Sequence, residues 1–192
     1  MGLGWHSNLL RFPLLWQAIV LAGVLHLLAS ATIAKVFHSK QEALAIAFPG
    51  ADRVETRTFF LTDDQVQQVT ALASAPVDSK LVTFYVGHKD GQLVGYAFIE
   101  TNIVRTLPET FLIVLSPTGV VQKLFVLAFY EPEEYLPSER WLRQFDQKTL
   151  TPDLQLRRDI HGIAGSTLTS RAVTSGVRRV LAFFQVLIQE KP

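Results

Sequence analysis

Two turn signals constrain this chain more than any other feature. Lys89-Asp90-Gly91-Gln92 separates Leu81–Gly87 from Leu93–Glu100. Ser116-Pro117-Thr118-Gly119 separates Phe111–Leu115 from Val120–Phe129. Asp-Gly between segments of alternating polarity closes a tight hairpin, because glycine takes the positive φ that such turns need. Two hairpins in succession predict an antiparallel sheet. Phe111-Leu112-Ile113-Val114-Leu115 is apolar at every position, which predicts a central strand covered on both faces. Thr101 to Thr110 reads as the connection between the two hairpins.

Helical segments surround these strands. Ser39 to Ala47 reads as a short helix stopped by Pro49-Gly50, and Val54 to Leu61 as a further strand. Thr62 begins the next helix. Gln65, three residues on, completes a capping box, and Val66, Val69 and Ala73 form the buried stripe. Ser138 to Asp146 places Trp141, Leu142 and Phe145 on a helix, after a loop broken by Pro132 and Pro137. The last helix runs from about Leu168 to Gln189. Val173, Val177, Val180, Leu181, Phe184 and Ile188 make its apolar stripe, and Arg178 and Arg179 read as a solvated basic face. The fold class is therefore α+β, an antiparallel sheet with packed helices.

Residues 14–34 contain no charged side chain, between Arg11 and Lys35. In a helix such a run spans about 31 Å, near the hydrocarbon thickness of a bilayer. It reads as one N-terminal transmembrane helix with Trp16 as an interfacial anchor. Ala29-Ser30-Ala31 also fits a signal-peptide cleavage site, and either reading exports the rest of the chain. The organisation is then an anchor or signal sequence over 1–37 and a domain over 38–192. Gln17 and His26 fall within the helix on opposite faces. His26 is either a neutral hydrogen-bonding residue or a haem ligand completed by a partner.

Composition narrows the chemistry. There are 18 basic and 17 acidic residues, a net charge of +1, and no cysteine. That balance speaks against a nucleic-acid surface. The lack of cysteine removes disulfides, thiolate zinc sites and cysteine-ligated iron–sulfur clusters. Redox chemistry would then need an organic cofactor, or haem through histidine.

One stretch offers a site for such a group: His161-Gly162-Ile163-Ala164-Gly165-Ser166-Thr167-Leu168-Thr169-Ser170-Arg171. Gly165 permits a turn that a residue with a Cβ resists. Ser166 is small enough for another surface to approach. Thr167, Thr169 and Ser170 place hydroxyls at the helix start, where unpaired amides favour a phosphate. Arg171 adds a formal charge. The competing account is an ordinary Ser/Thr-rich N-cap.

Ala164-Gly165-Ser166-Thr167-Leu168-Thr169 resembles the Ser-Gly-Ala-Thr-x-Thr flavinylation motif of the FMN-binding domain family. That family includes the covalent-FMN subunits of the sodium-pumping NADH:quinone oxidoreductase and of the Rnf electron-transport complex. The family usually has Ser in place of Ala164, Ala in place of Ser166 and Asp in place of His161; Gly165, Thr167 and Thr169 match. The resemblance implies FMN joined by a dedicated FMN transferase, through its phosphate, to the Thr169 hydroxyl. Gly165, Ser166, Thr167, Leu168 and Arg171 would complete the cofactor-binding turn. It implies a single-pass protein of the cytoplasmic membrane, with the FMN-binding domain on the periplasmic side and a membrane redox partner. Charges flanking the apolar run do not themselves fix that orientation.

On this reading Tyr130, Tyr135 and Trp141 either line the flavin or seat their loop on the core. Glu131, Glu133 and Glu134 are either solvated or metal ligands, though three carboxylates without further ligands are a weak metal signal. Arg105 to Thr110 carries polar groups able to meet the flavin or its phosphate. With no paired nucleophile and base and no nicotinamide-binding glycine motif, an electron-transfer subunit is expected before a hydrolase or a stand-alone reductase. The alternative is an accessory or sensor subunit with non-covalent FMN or none.

Overall fold

The computed structural model describes residues 35–189. The 14–34 run, with Trp16, Gln17 and His26, lies outside the described residues. Among the described residues no helix is long and apolar enough to cross a membrane.

The strands are β1 (Lys35–Val36), β2 (Arg53–Phe60), β3 (Leu81–Lys89), β4 (Gln92–Val104), β5 (Leu107–Leu115) and β6 (Val121–Phe129). They form one sheet in the order β1-β6-β5-β4-β3-β2, and every pairing is antiparallel. The helices are α1 (Lys40–Ala47), α2 (Asp63–Ala73), α3 (Glu139–Leu142) and α4 (Thr167–Phe184). A 3₁₀ turn over Arg143–Phe145 extends α3, and a π turn over Gln185–Gln189 extends α4. The expected α+β architecture is present.

Period-two alternation sorts the strand residues between two cores. Phe84, Phe98, Phe111, Ile113 and Leu115 join Val173, Val177, Leu181 and Phe184 of α4 in the larger one. Tyr85, Ala97, Leu112, Val114 and Leu127 join Ala43 and Phe48 in the smaller one on the α1 side. β5 feeds both, as its uninterrupted apolar run requires. The first two helices are capped as their sequences dictate. Thr62 and Gln65 form the capping box of α2, and Ser39 with Glu42 forms another at α1.

Two expectations fail. Thr101–Thr110 is no loose connection, because β4 and β5 pair along a long hairpin from Tyr96–Leu115 to Val104–Leu107. The Thr101 and Thr110 hydroxyls meet across it at 3.0 Å. The turn is Arg105-Thr106, with Arg105 in the left-handed region at φ 53°. It carries none of the Gly, Asn or Asp residues that usually mark such a turn. Pro108 also disguised the strand, though its carbonyl accepts from the Tyr130 N–H.

The second failure concerns Arg178 and Arg179, which are 5% and 7% exposed rather than a solvated face. Arg178 donates to the carbonyls of Leu72, Ala73, Thr151 and Leu154 at 2.6–3.1 Å. It thereby takes up carbonyls left unpaired where α2 ends at a left-handed Ser74. Arg179 binds Glu100 through two nitrogens and also reaches Asn102 and the Pro76 carbonyl. Gly176 lets α4 approach the sheet there: a Cβ would stand 3.0 Å from Glu100 Cγ.

Candidate functional site: the turn into α4

The chain enters α4 through Ile163 to Ser166. Gly165 turns it with φ at 77°, and a Cβ there would meet nothing. Ser166 is the N-cap residue, yet its side chain caps no helix amide. Its hydroxyl donates instead to the Tyr135 carbonyl at 3.1 Å. The surface that approaches Ser166 is thus the chain's own Tyr135 segment. Ser170 closes the turn: its hydroxyl accepts from the Ile163 N–H and donates to the Ser166 carbonyl, each at 2.9 Å. The helix ladder begins with the Ser170 N–H on the Ser166 carbonyl. The amides of Thr167, Leu168 and Thr169 are left for another acceptor, as at any helix start without a side-chain cap.

The motif residues divide between two sides. Thr167, Leu168 and Arg171 are exposed, and Thr167 and Arg171 line a groove of about 410 Å³ with Arg157 and Ser175. Ser166, Thr169 and Ser170 are buried, and Thr169 is only 2% exposed. Thr169 lies one turn before Val173, which belongs to the larger core. Two residues on, Arg171 stands about 200° round the helix. The structure therefore brings Arg171 to Thr167 and carries Thr169 inward, which differs from the expectation of an open run of hydroxyls.

Beside this turn lies a cluster that sequence reading did not assemble. Tyr135, held by Ser166, carries the Arg105 guanidinium 5.0 Å above its ring. Arg105 donates to Glu131 Oε2 at 3.0 Å, and the Glu131 side chain is 3% exposed. Glu109 on β5 is fully buried, and neither of its carboxylate oxygens has a hydrogen-bond partner. Burial pushes the Glu109 carboxyl up to about 8, with the Glu131 charge adding to the rise. Glu131 Oε1 is also without a partner. The only advance signal was three acids around Pro132; the partner acid, Glu109, lay in a segment read as a loop.

Trp141, Gln144 and Glu133 of the 130–146 region have structural roles. Trp141 is buried, donates from Nε1 to the His161 carbonyl at 2.6 Å, and packs edge-on against Phe145. It seats the loop. Gln144 accepts from the His161 N–H, so the turn that extends α3 holds the start of the motif segment. Glu133 pairs with Lys35 at the surface, where the ammonium keeps its carboxyl below the ordinary range.

The free amides, the open glycine turn and the neighbouring arginines form a donor set that fits a phosphate. The burial of Thr169 means that a group can reach its hydroxyl only when the cover over it yields.

No protein-family model matches the chain. Over 139 residues it is 27% identical to a component of the Na(+)-translocating ferredoxin:NAD(+) oxidoreductase complex of Acetobacterium woodii. The similarity bears out the resemblance to the FMN-binding domain family. The matched region covers 64% of this chain and 64% of that relative, so the chain spans less than two thirds of its length.

Proposed function

We propose that this chain is an electron-transfer flavoprotein of a membrane redox complex, carrying FMN on the turn into α4. The attachment point is the Thr169 hydroxyl. Its Oγ1 bonds to the phosphorus of an activated FMN donor as the P–O bond to the donor's phosphate-linked leaving group breaks and the hydroxyl proton is released, and the product is protein plus FMN less one water. The supporting observation is the start of α4: a glycine turn followed by amides that no side chain caps. Those amides offset the charge of a phosphodiester. The Na(+)-translocating relative supports the membrane-complex setting.

The flavin supplies the redox chemistry, accepting electrons from one partner and passing them to another. The chain's own residues bind and shield it. Gly165 gives the turn its shape. Ser166 anchors the Tyr135 segment. Thr167, Leu168 and Arg171 form the exposed lip of the site. Because Thr169 is enclosed, attachment by an FMN transferase requires the covering segment to open; once closed, the same cover keeps water from the ester. Residues 1–37 would anchor the domain on the extracytoplasmic side of the cytoplasmic membrane.

One observation favours the accessory-subunit alternative: a 2% exposed Thr169 next to Ala164 and Ser166, where the family usually has Ser and Ala. Intact mass separates the readings. The full chain is co-expressed with an FMN transferase and denatured, as wild type, Thr169→Ala and Thr167→Ala. A gain of one FMN less one water in the wild type and Thr167→Ala, absent from Thr169→Ala, is expected. The gain lost only in Thr167→Ala would move the attachment to the exposed hydroxyl. No gain in any protein, with no flavin colour, would sink the carrier and leave the accessory role.

A further inference from the structure

The Glu109 cluster places two buried carboxylates beside one arginine. Arg105 comes from the β4–β5 tip and is spent on Glu131, which follows β6. The neighbouring strands offer Glu109 only Asn102 and Phe129 as register partners. Asn102 faces Arg179, which is itself taken by Glu100. The charges facing the cluster are therefore Glu109 and Glu131 against Arg105, with the Glu100–Arg179 pair and, opposite Phe129, the Lys35–Glu133 pair already balanced. Two adjacent enclosed carboxylates with one cation cannot both stay ionised without a large desolvation cost. Glu131 has Arg105, so the proton falls to Glu109, whose two oxygens have no partner.

The cluster also lies at the cofactor turn. Arg105 covers the Tyr135 ring, and the Tyr135 carbonyl accepts from Ser166, three residues before Thr169. The sheet gives the same placement. α4 runs antiparallel to β4: Phe184 meets Tyr96, Phe183 meets Phe98, and Arg179 meets Glu100 and Asn102. Continuing that order, the β4–β5 tip lies towards the amino-terminal part of α4.

We propose that Glu109 holds one proton beside the Arg105-bound Glu131 and sets it against the charge of the flavin at this turn, as a positioning residue that links its potential to pH. This rests on the function proposed above. When the flavin gains electrons, its added negative charge raises the affinity of Glu109 for a proton, so reduction draws one from solvent onto its carboxylate. Below the titration of Glu109 both redox states already hold that proton and no linkage is seen. Above it, only the reduced state does.

The test is the flavin midpoint potential of the full, flavin-loaded chain, measured with a chemical reductant and redox mediators across roughly pH 6 to 10. In the wild type the potential should fall more steeply above about pH 8, by about 30 mV per pH unit for a two-electron couple, the value of a tenfold change in proton binding. Glu109→Gln should lose that added slope. Glu131→Gln, which removes the neighbouring charge, should move its onset to lower pH. A second measurement needs no flavin: a carbonyl stretch of a protonated carboxyl at pH 7, shifted in D₂O and absent from Glu109→Gln. Identical pH profiles in flavin-loaded wild type and Glu109→Gln would overturn the linkage. So would the missing infrared band, should Glu109→Gln fail to fold. No flavin in the wild-type chain would overturn the carrier function instead, and the linkage with it.

Discussion

Two buried acid–arginine sites sit on the same face of the sheet, and they are built differently. Glu100 and Arg179 balance one charge with one charge, and Arg179 spends its remaining donors on Asn102 and the Pro76 carbonyl. Burial raises the Glu100 carboxyl, and Arg179 pulls it back. Glu109 and Glu131 set two acids against an Arg105 whose side chain is 50% exposed, and three of their four oxygens have no partner. The first site is a closed structural joint. The second keeps an unmet demand for a proton or a donor, and it adjoins the turn into α4. Within one β-hairpin, satisfied charge builds the fold and unsatisfied charge marks where something else acts.

The sharpest way to break this contrast is to unbalance the closed site. Arg179→Ala leaves Glu100 buried without its cation, and should cost about 3–5 kcal/mol in urea unfolding. The next largest effect balances the open site. Glu109 holds a proton in the folded chain up to about pH 8, against an ordinary value of 4.5. Between those values the folded state binds more protons than the unfolded state, so wild-type stability falls as pH rises. Relative to Glu109→Gln, it should fall by about 1.4 kcal/mol per pH unit in that window and run parallel outside it. Unfolding midpoints of both proteins at several pH values give the slope; parallel curves throughout would remove the contrast.

Arg105→Ala should cost less, about 1–2 kcal/mol, because the guanidinium is half in solvent, and added salt should shrink the difference. Smallest is Ser166→Ala, which loses one neutral hydrogen bond to Tyr135, about 1 kcal/mol. Its more telling readout is access: the variant should let an added FMN transferase load Thr169 faster, as the Tyr135 segment is released. Loading at the wild-type rate would mean that Tyr135 is not the cover.

These sites differ in how far the sequence disclosed them. Asp90-Gly91 and Pro117 marked two turns, and Thr62 with Gln65 marked a helix start, because each depends on neighbours in the chain. The all-apolar 111–115 run likewise announced a strand covered on both sides. The Arg105-Thr106 turn was hidden because tertiary packing holds Arg105 at a φ its own side chain disfavours. Arg178 and Arg179 followed the spacing of a polar face, and only partners distant in the chain explain their burial: the end of α2 for Arg178 and Glu100 on β4 for Arg179. Gly165 was legible as a turn, while the inward direction of Thr169 became clear only from the seating of α4. Glu109 and Glu131 lie at neighbouring strands' ends, a proximity that exists only once the sheet has formed.

Arg178 has a consequence for motion. One guanidinium grips carbonyls from the end of α2 and from the turn at 151–154. To lift that turn alone would strip two charge-assisted bonds in one event. Amides around Thr151–Leu154 should therefore exchange with deuterium at the slow pace of α4 rather than at the pace of a surface loop. The polypeptide leading into the turn before α4 is in this way clamped at its start, and the freedom to open is left to the Tyr135 side.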